Sequence, residues 1–473
     1  MLGPFTLWGL GVGYVISGEY FGWNLGLPVA GSLGMLAAFA LVTAMYAAFV
    51  FSYLELACAL PRAGGAFVYA VRGLGPGAGF LAGIAQAVEF VLAPPAIAMA
   101  IGSYVATLAP AVGQRPAALV VLALFTVVNV VGVRQAALLE FAVTLLAVGE
   151  LVLFAGLALP HFRWEAFAAN GLPHGVGGVF AGIPFAIWFY LAIEGVANAA
   201  EETRDPHRDI PRGFGAALVT LVVLSVVVLF GAVGVGGWER VVYAPADLVA
   251  GVEGGVVPRA GAPLSDNPLP LALGQFVAAG HPLFSLLVGM GVLGLVASLN
   301  GIILAAGRGL LEMGRAGYLP RALGWIAPAT GTPVVALLTT FVIGAAAIVA
   351  LDTTLLITLS AFGAVTLMIV SMVALLRLRV TEPDLPRPWR APGAPWVPLA
   401  ALGLATMSLV AMGWSNRGDA ATWWRSGTAQ YTLVMTVAGS AWWTVLRRRI
   451  DPHAVADAHH VDPHVPRTPP PRP

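Results

Sequence analysis

The chain has 473 residues, 59% of them hydrophobic and 10% charged, with a formal net charge of +1. Soluble domains carry about 25% charged residues, so this composition excludes a globular enzyme and implies a polytopic membrane protein. The balance of 24 basic against 23 acidic residues offers no field for nucleic acid or another polyanion.

A membrane span needs about 20 apolar residues. Apolar runs broken by Arg, Pro and Gly predict twelve spans, near 5–30, 33–59, 78–108, 116–133, 136–159, 178–200, 213–236, 282–311, 333–351, 354–376, 397–414 and 429–446. The opening Met1-Leu2-Gly3-Pro4 lacks a positive n-region and reads as the start of the first span, not as a signal peptide. The lone cysteine, Cys58, lies in an apolar run and cannot form an intrachain disulfide. The segment 238–280 reads as a long outer loop that caps the bundle with a short helix. Residues 1–446 read as one transmembrane domain and 447–473, rich in Pro and His, as a disordered cytoplasmic tail. No metal site is expected, even with Asp-Pro-His repeated at 451–453 and 462–464.

All 24 basic residues are Arg. With a cytoplasmic N-terminus, 18 of them fall inside and 6 outside, so the positive-inside rule puts both termini in the cytoplasm. Four carboxylates lie deep: Glu19 in span 1, Glu89 in span 3, Glu150 in span 5 and Glu194 in span 6. Each costs about 2.5–3.5 kcal/mol at the midplane on insertion scales and marks a functional site by default. With no Arg at those depths, the interior suits a cation or a proton. The deep spans also hold no His, which argues against a membrane-embedded enzyme.

Spans 1 and 6 carry polar or Gly interruptions near their middles, at Gly11-Val12-Gly13-Tyr14-Val15-Ile16-Ser17-Gly18-Glu19-Tyr20-Phe21-Gly22 and at Phe189-Tyr190-Leu191-Ala192-Ile193-Glu194-Gly195-Val196-Ala197-Asn198. They stand five spans apart, as in a five-plus-five inverted repeat with unwound helices around a midplane site. The repeats would cover about 5–159 and 178–376, with extra helices at about 397–446.

Four further stretches carry a resemblance. They are Glu55-Leu56-Ala57 through Leu60-Pro61-Arg62-Ala63-Gly64-Gly65, Glu201-Glu202-Thr203-Arg204-Asp205-Pro206 through Ile210-Pro211-Arg212, Asn300 through Gly331-Thr332-Pro333, and Glu382-Pro383-Asp384-Leu385-Pro386-Arg387-Pro388-Trp389. On these the chain resembles the amino acid–polyamine–organocation superfamily of permeases. Ser17-Gly18-Glu19-Tyr20-Phe21-Gly22-Trp23-Asn24 and the run from Leu191 to Glu202 are most similar to bacterial ethanolamine permeases. The resemblance implies an all-α, leucine-transporter-like fold in a bacterial cytoplasmic membrane, no cofactor, and alternating-access import of a small solute.

Relatives in that superfamily hold a substrate carboxylate at a Gly-Ser/Thr-Gly break in span 1. Here Ile16 replaces the first glycine and Glu19 follows, a change that suits an amine without a carboxylate. The expected substrate is therefore ethanolamine or a similar primary amine, with an amino acid permease or exchanger as the alternative. The expected binding residues are Ile16, Ser17, Gly18, Glu19, Tyr190, Ala192, Ile193, Glu194 and Gly195, walled by Tyr20, Trp188 and Phe189. Glu89 and Glu150 are the candidates for proton coupling, Glu150 lying one turn beyond Ala147, where some relatives place a Lys. Sodium coupling would draw on Ser298. The cytoplasmic-end acids Glu55, Glu201 and Glu202 are read as gate or capping groups.

Overall fold

The computed structural model describes residues 3–62, 64–132, 136–251, 255–418, 422–444 and 447; side chains at 136–140, 198–202 and 206 lie outside that description. The tail beyond Arg447, Arg134 and the side chains of Glu201 and Glu202 are therefore outside the described residues.

Among the described residues the protein is helical apart from one small ribbon. The chain opens with α1 (Pro4–Val15) and α2 (Ser17–Tyr20), then a 3-10 turn at Trp23–Gly26 and α3 (Leu27–Ala59). Gly31 breaks α3 near its start at φ 69, ψ 176, where the chain turns from the first span into the second. A side chain there would press on the backbone of Gly171 and the ring of Pro173, so both conformation and space require glycine. There follow α4 (Ala66–Leu74), α5 (Pro76–Leu108), α6 (Gln114–Val131), α7 (Ala136–Ala158), the short α8 (Trp164–Ala168) and α9 (Gly175–Ile187). Beyond α9 the backbone is irregular until a 3-10 helix at Ile193–Glu202, and α10 (Pro206–Gly234) resumes a regular span.

The long connection between α10 and α13 holds α11 (Glu239–Val242), the antiparallel strands β1 (Leu248–Ala250) and β2 (Val256–Pro258), and α12 (Pro268–Leu273). The sequence reading expected a short helix in this segment; the ribbon, with Val249 opposite Val257, was not foreseen. The chain ends with α13 (Pro282–Arg315), α14 (Val334–Ala350), α15 (Thr353–Thr381), α16 (Trp396–Ser415) and α17 (Gly427–Thr444). Only Leu351 and Asp352 separate α14 from α15, because Asp352 caps α15 by accepting the Leu355 N–H at 2.8 Å.

Among the described residues, eight helical stretches are long and apolar enough to cross a membrane; Gly175–Ile187 and Val334–Ala350 are apolar but shorter. At 1.5 Å per residue α9 rises only about 20 Å, short of a ~30 Å hydrocarbon layer. Peripheral helices turn apolar stripes outward, as on α6, where Val120, Leu124, Val127 and Val131 are exposed at helical spacing. In water such a stripe would be a liability; in lipid it is the matching surface. The centre is formed by α5 and α15, which are buried along most of their length, with α1 seated against α7, α10 and α13.

Candidate substrate site

The helix that opens the chain is interrupted at one residue. Ile16 N–H still reaches the Val12 carbonyl at 2.8 Å, and Glu19 N–H reaches back to Ile16, at 3.0 Å. Ile16 separates α1 from α2, which restarts at Ser17 with no side-chain cap. Ile16 itself sits at φ −57, ψ −22, a right-handed value open to any residue. The absent first glycine therefore imposes no backbone change at Ile16. The larger departure comes at Gly22, with φ 93.

The chain after α9 departs from helix more fully. After Ile187 the bonds shorten to three-residue steps, from Phe189 to Ala186 at 3.3 Å and from Tyr190 to Ile187 at 2.9 Å. Ala192 then adopts φ 74, a value that residues with a side chain seldom take. Its freed N–H donates to Glu89 Oε1 at 3.2 Å. Ile193 N–H and Gly195 N–H reach Tyr190 and Ala192, at 3.2 and 3.0 Å.

The two breaks touch. A Cβ on Gly18 would press on the Trp188 carbonyl and lie 3.0 Å from Phe189 Cα. Gly22 leaves room for the Trp188 ring, and Phe21 meets that ring edge-on at 5.4 Å between centroids. Phe189 stacks on Trp23 at 6.2 Å. Gly195 packs against Tyr14 and Phe90. Aromatics thus enclose the region where the helices are interrupted, which lowers the local dielectric and strengthens polar contacts made there.

The four deep carboxylates fall into separate settings. Glu89 and Glu194 neighbour each other, and Tyr46 on α3 faces both. As acceptor-only carboxylates, Glu194 and Glu89 leave both Glu194 oxygens and Glu89 Oε2 without a donor among the described residues, and the Tyr46 hydroxyl is also without a partner there; with one proton between them the two carboxyls hydrogen-bond each other. Glu19 instead turns toward α10, where the Ser225 hydroxyl donates to Oε1 at 2.9 Å. Glu150 neighbours Tyr20 and Tyr104 on the far side of the first span. Tyr20 donates to the Ala147 carbonyl at 3.1 Å, and Tyr104 to the Tyr20 carbonyl at 2.8 Å. No described ion pair engages any of the four acids. Orphaned carboxyl oxygens in a dry interior are costly without a cation or a proton.

Ser17 Oγ lies 2.8 Å from Ser298 Oγ on α13, whose hydroxyl also donates to the Tyr14 carbonyl. Tyr190 pairs with Thr43 at 2.7 Å and stacks on Phe39. Sequence reasoning missed Thr43, Tyr46 and Ser225. The available signal was a polar residue in an otherwise apolar span, too weak without knowing which face meets spans 1 and 6. No group of three or more His, Cys, Asp or Glu able to hold a metal occurs among the described residues.

A family model described as amino acid permease matches residues 2–438. The chain belongs to that family. It is a multi-pass membrane transporter and not an enzyme. The permease is 26% identical to the branched-chain amino acid permease of Bacillus subtilis over 91% of this chain and 92% of the relative. It is 24% identical to a methylthioribose transporter of the same organism, with the same coverage. It also matches the vacuolar cationic amino acid transporter 4 of Arabidopsis thaliana, 27% identical over 70% of this chain and 55% of the relative.

Proposed function

We propose that this permease is a secondary transporter for an amino acid, carried by alternating access across a bacterial cytoplasmic membrane with both termini cytoplasmic. The reading assigns twelve crossings. Five come from α1–α2, α3, α5, α6 and α7, and five from α9 with its 3-10 extension, α10, α13, α14 and α15, with α16 and α17 outside. The first member of each five is a broken helix, as a leucine-transporter-like inverted repeat requires. The 18-to-6 division of arginines supports the orientation.

The carrying observation is the restart of the helix at Ser17, where Gly18 presses on the backbone of Trp188 and Phe189 in the irregular stretch that leads to Glu194. A helical turn cannot satisfy its own first amides and suits a carboxylate, and a carboxylate outside any described ion pair suits an ammonium. One solute carrying both groups is an amino acid. Glu19 accepts from Ser225 on α10 and is assigned no contact with the solute. Relatives named for branched-chain and cationic amino acids point the same way. Ethanolamine is the second reading, favoured by four deep acids without a described ion pair. The remaining roles, Glu150 in proton coupling and Ser298 in sodium coupling, belong to this proposal.

The test is uptake of radiolabelled solutes into proteoliposomes under imposed proton and sodium gradients. Accumulation of at least one amino acid is expected. Accumulation of ethanolamine with no amino acid transported would replace this reading by the second.

A further inference from the structure

A second polar site lies at the arginine-rich end of the bundle, away from both helix breaks. Glu55 near the end of α3 is 1% exposed, and its acceptors are occupied. Arg379 donates through Nε at 3.0 Å and Nη2 at 2.6 Å, the Ala391 N–H donates at 2.9 Å, and Arg387 Nε lies 3.4 Å away. Beside this group opens a cavity of about 400 Å³, lined by Glu55, Arg379, Arg387, Arg390 and the Ala394–Pro395 turn. Three guanidinium groups against one carboxylate leave a surplus of two positive charges. Arg390 is exposed and has no partner among the described interactions.

The cavity also abuts the N-terminus of α16, whose dipole adds positive potential. Trp396, the first residue of that helix, is 75% exposed. Exposed tryptophan beside a membrane span marks the membrane–water interface, so the cavity sits at headgroup level. Guanidinium groups match phosphate oxygens in geometry and charge, and basic pockets between spans take phospholipid headgroups.

We propose that this cavity is a phosphate-ester site occupied by the headgroup of an anionic phospholipid. An occupant would tie the segment after α15 to the ends of α3 and α15 and the start of α16. A soluble phosphate ester offers the same chemistry, and the experiment separates the two.

Purified permease in detergent is titrated with phosphatidylglycerol, phosphatidylcholine or glycerol 3-phosphate, and binding is read by native mass spectrometry and melting temperature. Phosphatidylglycerol is expected to bind and stabilise, and phosphatidylcholine not to. Each Arg near the surface contributes about 1 kcal/mol toward an anionic lipid, so Arg390→Gln should weaken binding about fivefold. Arg390→Glu should weaken it further. Arg417→Gln, at the other end of α16, should leave it unchanged. Because Arg390 is exposed and unpartnered, the lipid-free melting temperature of its variants should match wild type. Glycerol 3-phosphate binding with the same Arg390 dependence, but no phosphatidylglycerol binding, would overturn the lipid assignment. Equal binding of both lipids, or equal loss in the Arg390 and Arg417 variants, would overturn the site.

Discussion

Replacing Glu194 by Gln preserves shape and removes one charge from the centre of the proposed site. Glu194 and Glu89 stand carboxyl to carboxyl, where one proton between them makes a hydrogen bond in the empty protein. The new amide donates to Glu89 in place of that proton, so one bond replaces another. A net hydrogen bond contributes about 1 kcal/mol, so the variant's stability should stay within about that of wild type. Binding should fall much further. Truncating a desolvated charge pair costs about 2–4 kcal/mol, or roughly 30- to 1,000-fold in affinity at 1.4 kcal/mol per decade. Isothermal titration of purified protein with its transported solute reads the affinity, and thermal unfolding reads the stability. Near-unchanged stability with a large affinity loss identifies Glu194 as the ammonium partner. Affinity within about threefold of wild type, a gap of ~0.7 kcal/mol, would refute the contact.

Three further outcomes are expected. Gly18→Ala places a methyl against the Trp188 carbonyl and Phe189 Cα, both backbone, so the breaks must separate; overpacking of about 1–3 kcal/mol should leave folded protein without uptake, and wild-type uptake would contradict the packing. Glu55→Gln strips the buried partner of Arg379 and should destabilise by about 3 kcal/mol, read by denaturation; an unchanged midpoint would mean that solvent already screens the pair. Burial in the connection between α10 and α13 raises the Asp266 carboxyl from 3.8 to about 6, although Thr353 and Gln114 donate to it at 2.7 and 2.6 Å. The folded state therefore holds that proton more tightly, and the associated stability is present below about pH 4 and lost as pH rises through 6. Asp266→Asn should remove up to ~3 kcal/mol of this pH dependence, and parallel melting curves from pH 4 to 7 would contradict it.

Much of the architecture was legible because lipid imposes one rule everywhere. Apolar length and Arg placement gave the helices, and the turn between the first two spans fell where Gly31 is found. Deep acids stood out because hydrocarbon leaves so few of them. Their partners did not. Whether Glu19 faces the break or Ser225 depends on helix rotation, and span 1 is apolar on every side. Where the chain needs a glycine was not legible either: Ile16 keeps a right-handed φ of −57, and the positive φ comes at Gly22. The pairing of Glu89 with the Ala192 N–H follows from a positive φ at a non-glycine residue, which carries no sequence signature. The clamp of Glu55 by Arg379 and Arg387 joins residues more than 300 positions apart, and only the packed bundle brings them together.

The central claim is that one site holds a carboxylate at Ser17 and Gly18 and an ammonium at Glu194. Matched solutes that differ only in the carboxylate test it most directly: serine against ethanolamine, leucine against isopentylamine, and arginine against agmatine, each pair competing for uptake of the transported solute in the same proteoliposomes. The account predicts that in the best-recognised pair the amino acid competes at least tenfold better, the ~1.4 kcal/mol expected of charge-assisted bonds from two amides. Equal or better competition by the decarboxylated amine in every pair would contradict it.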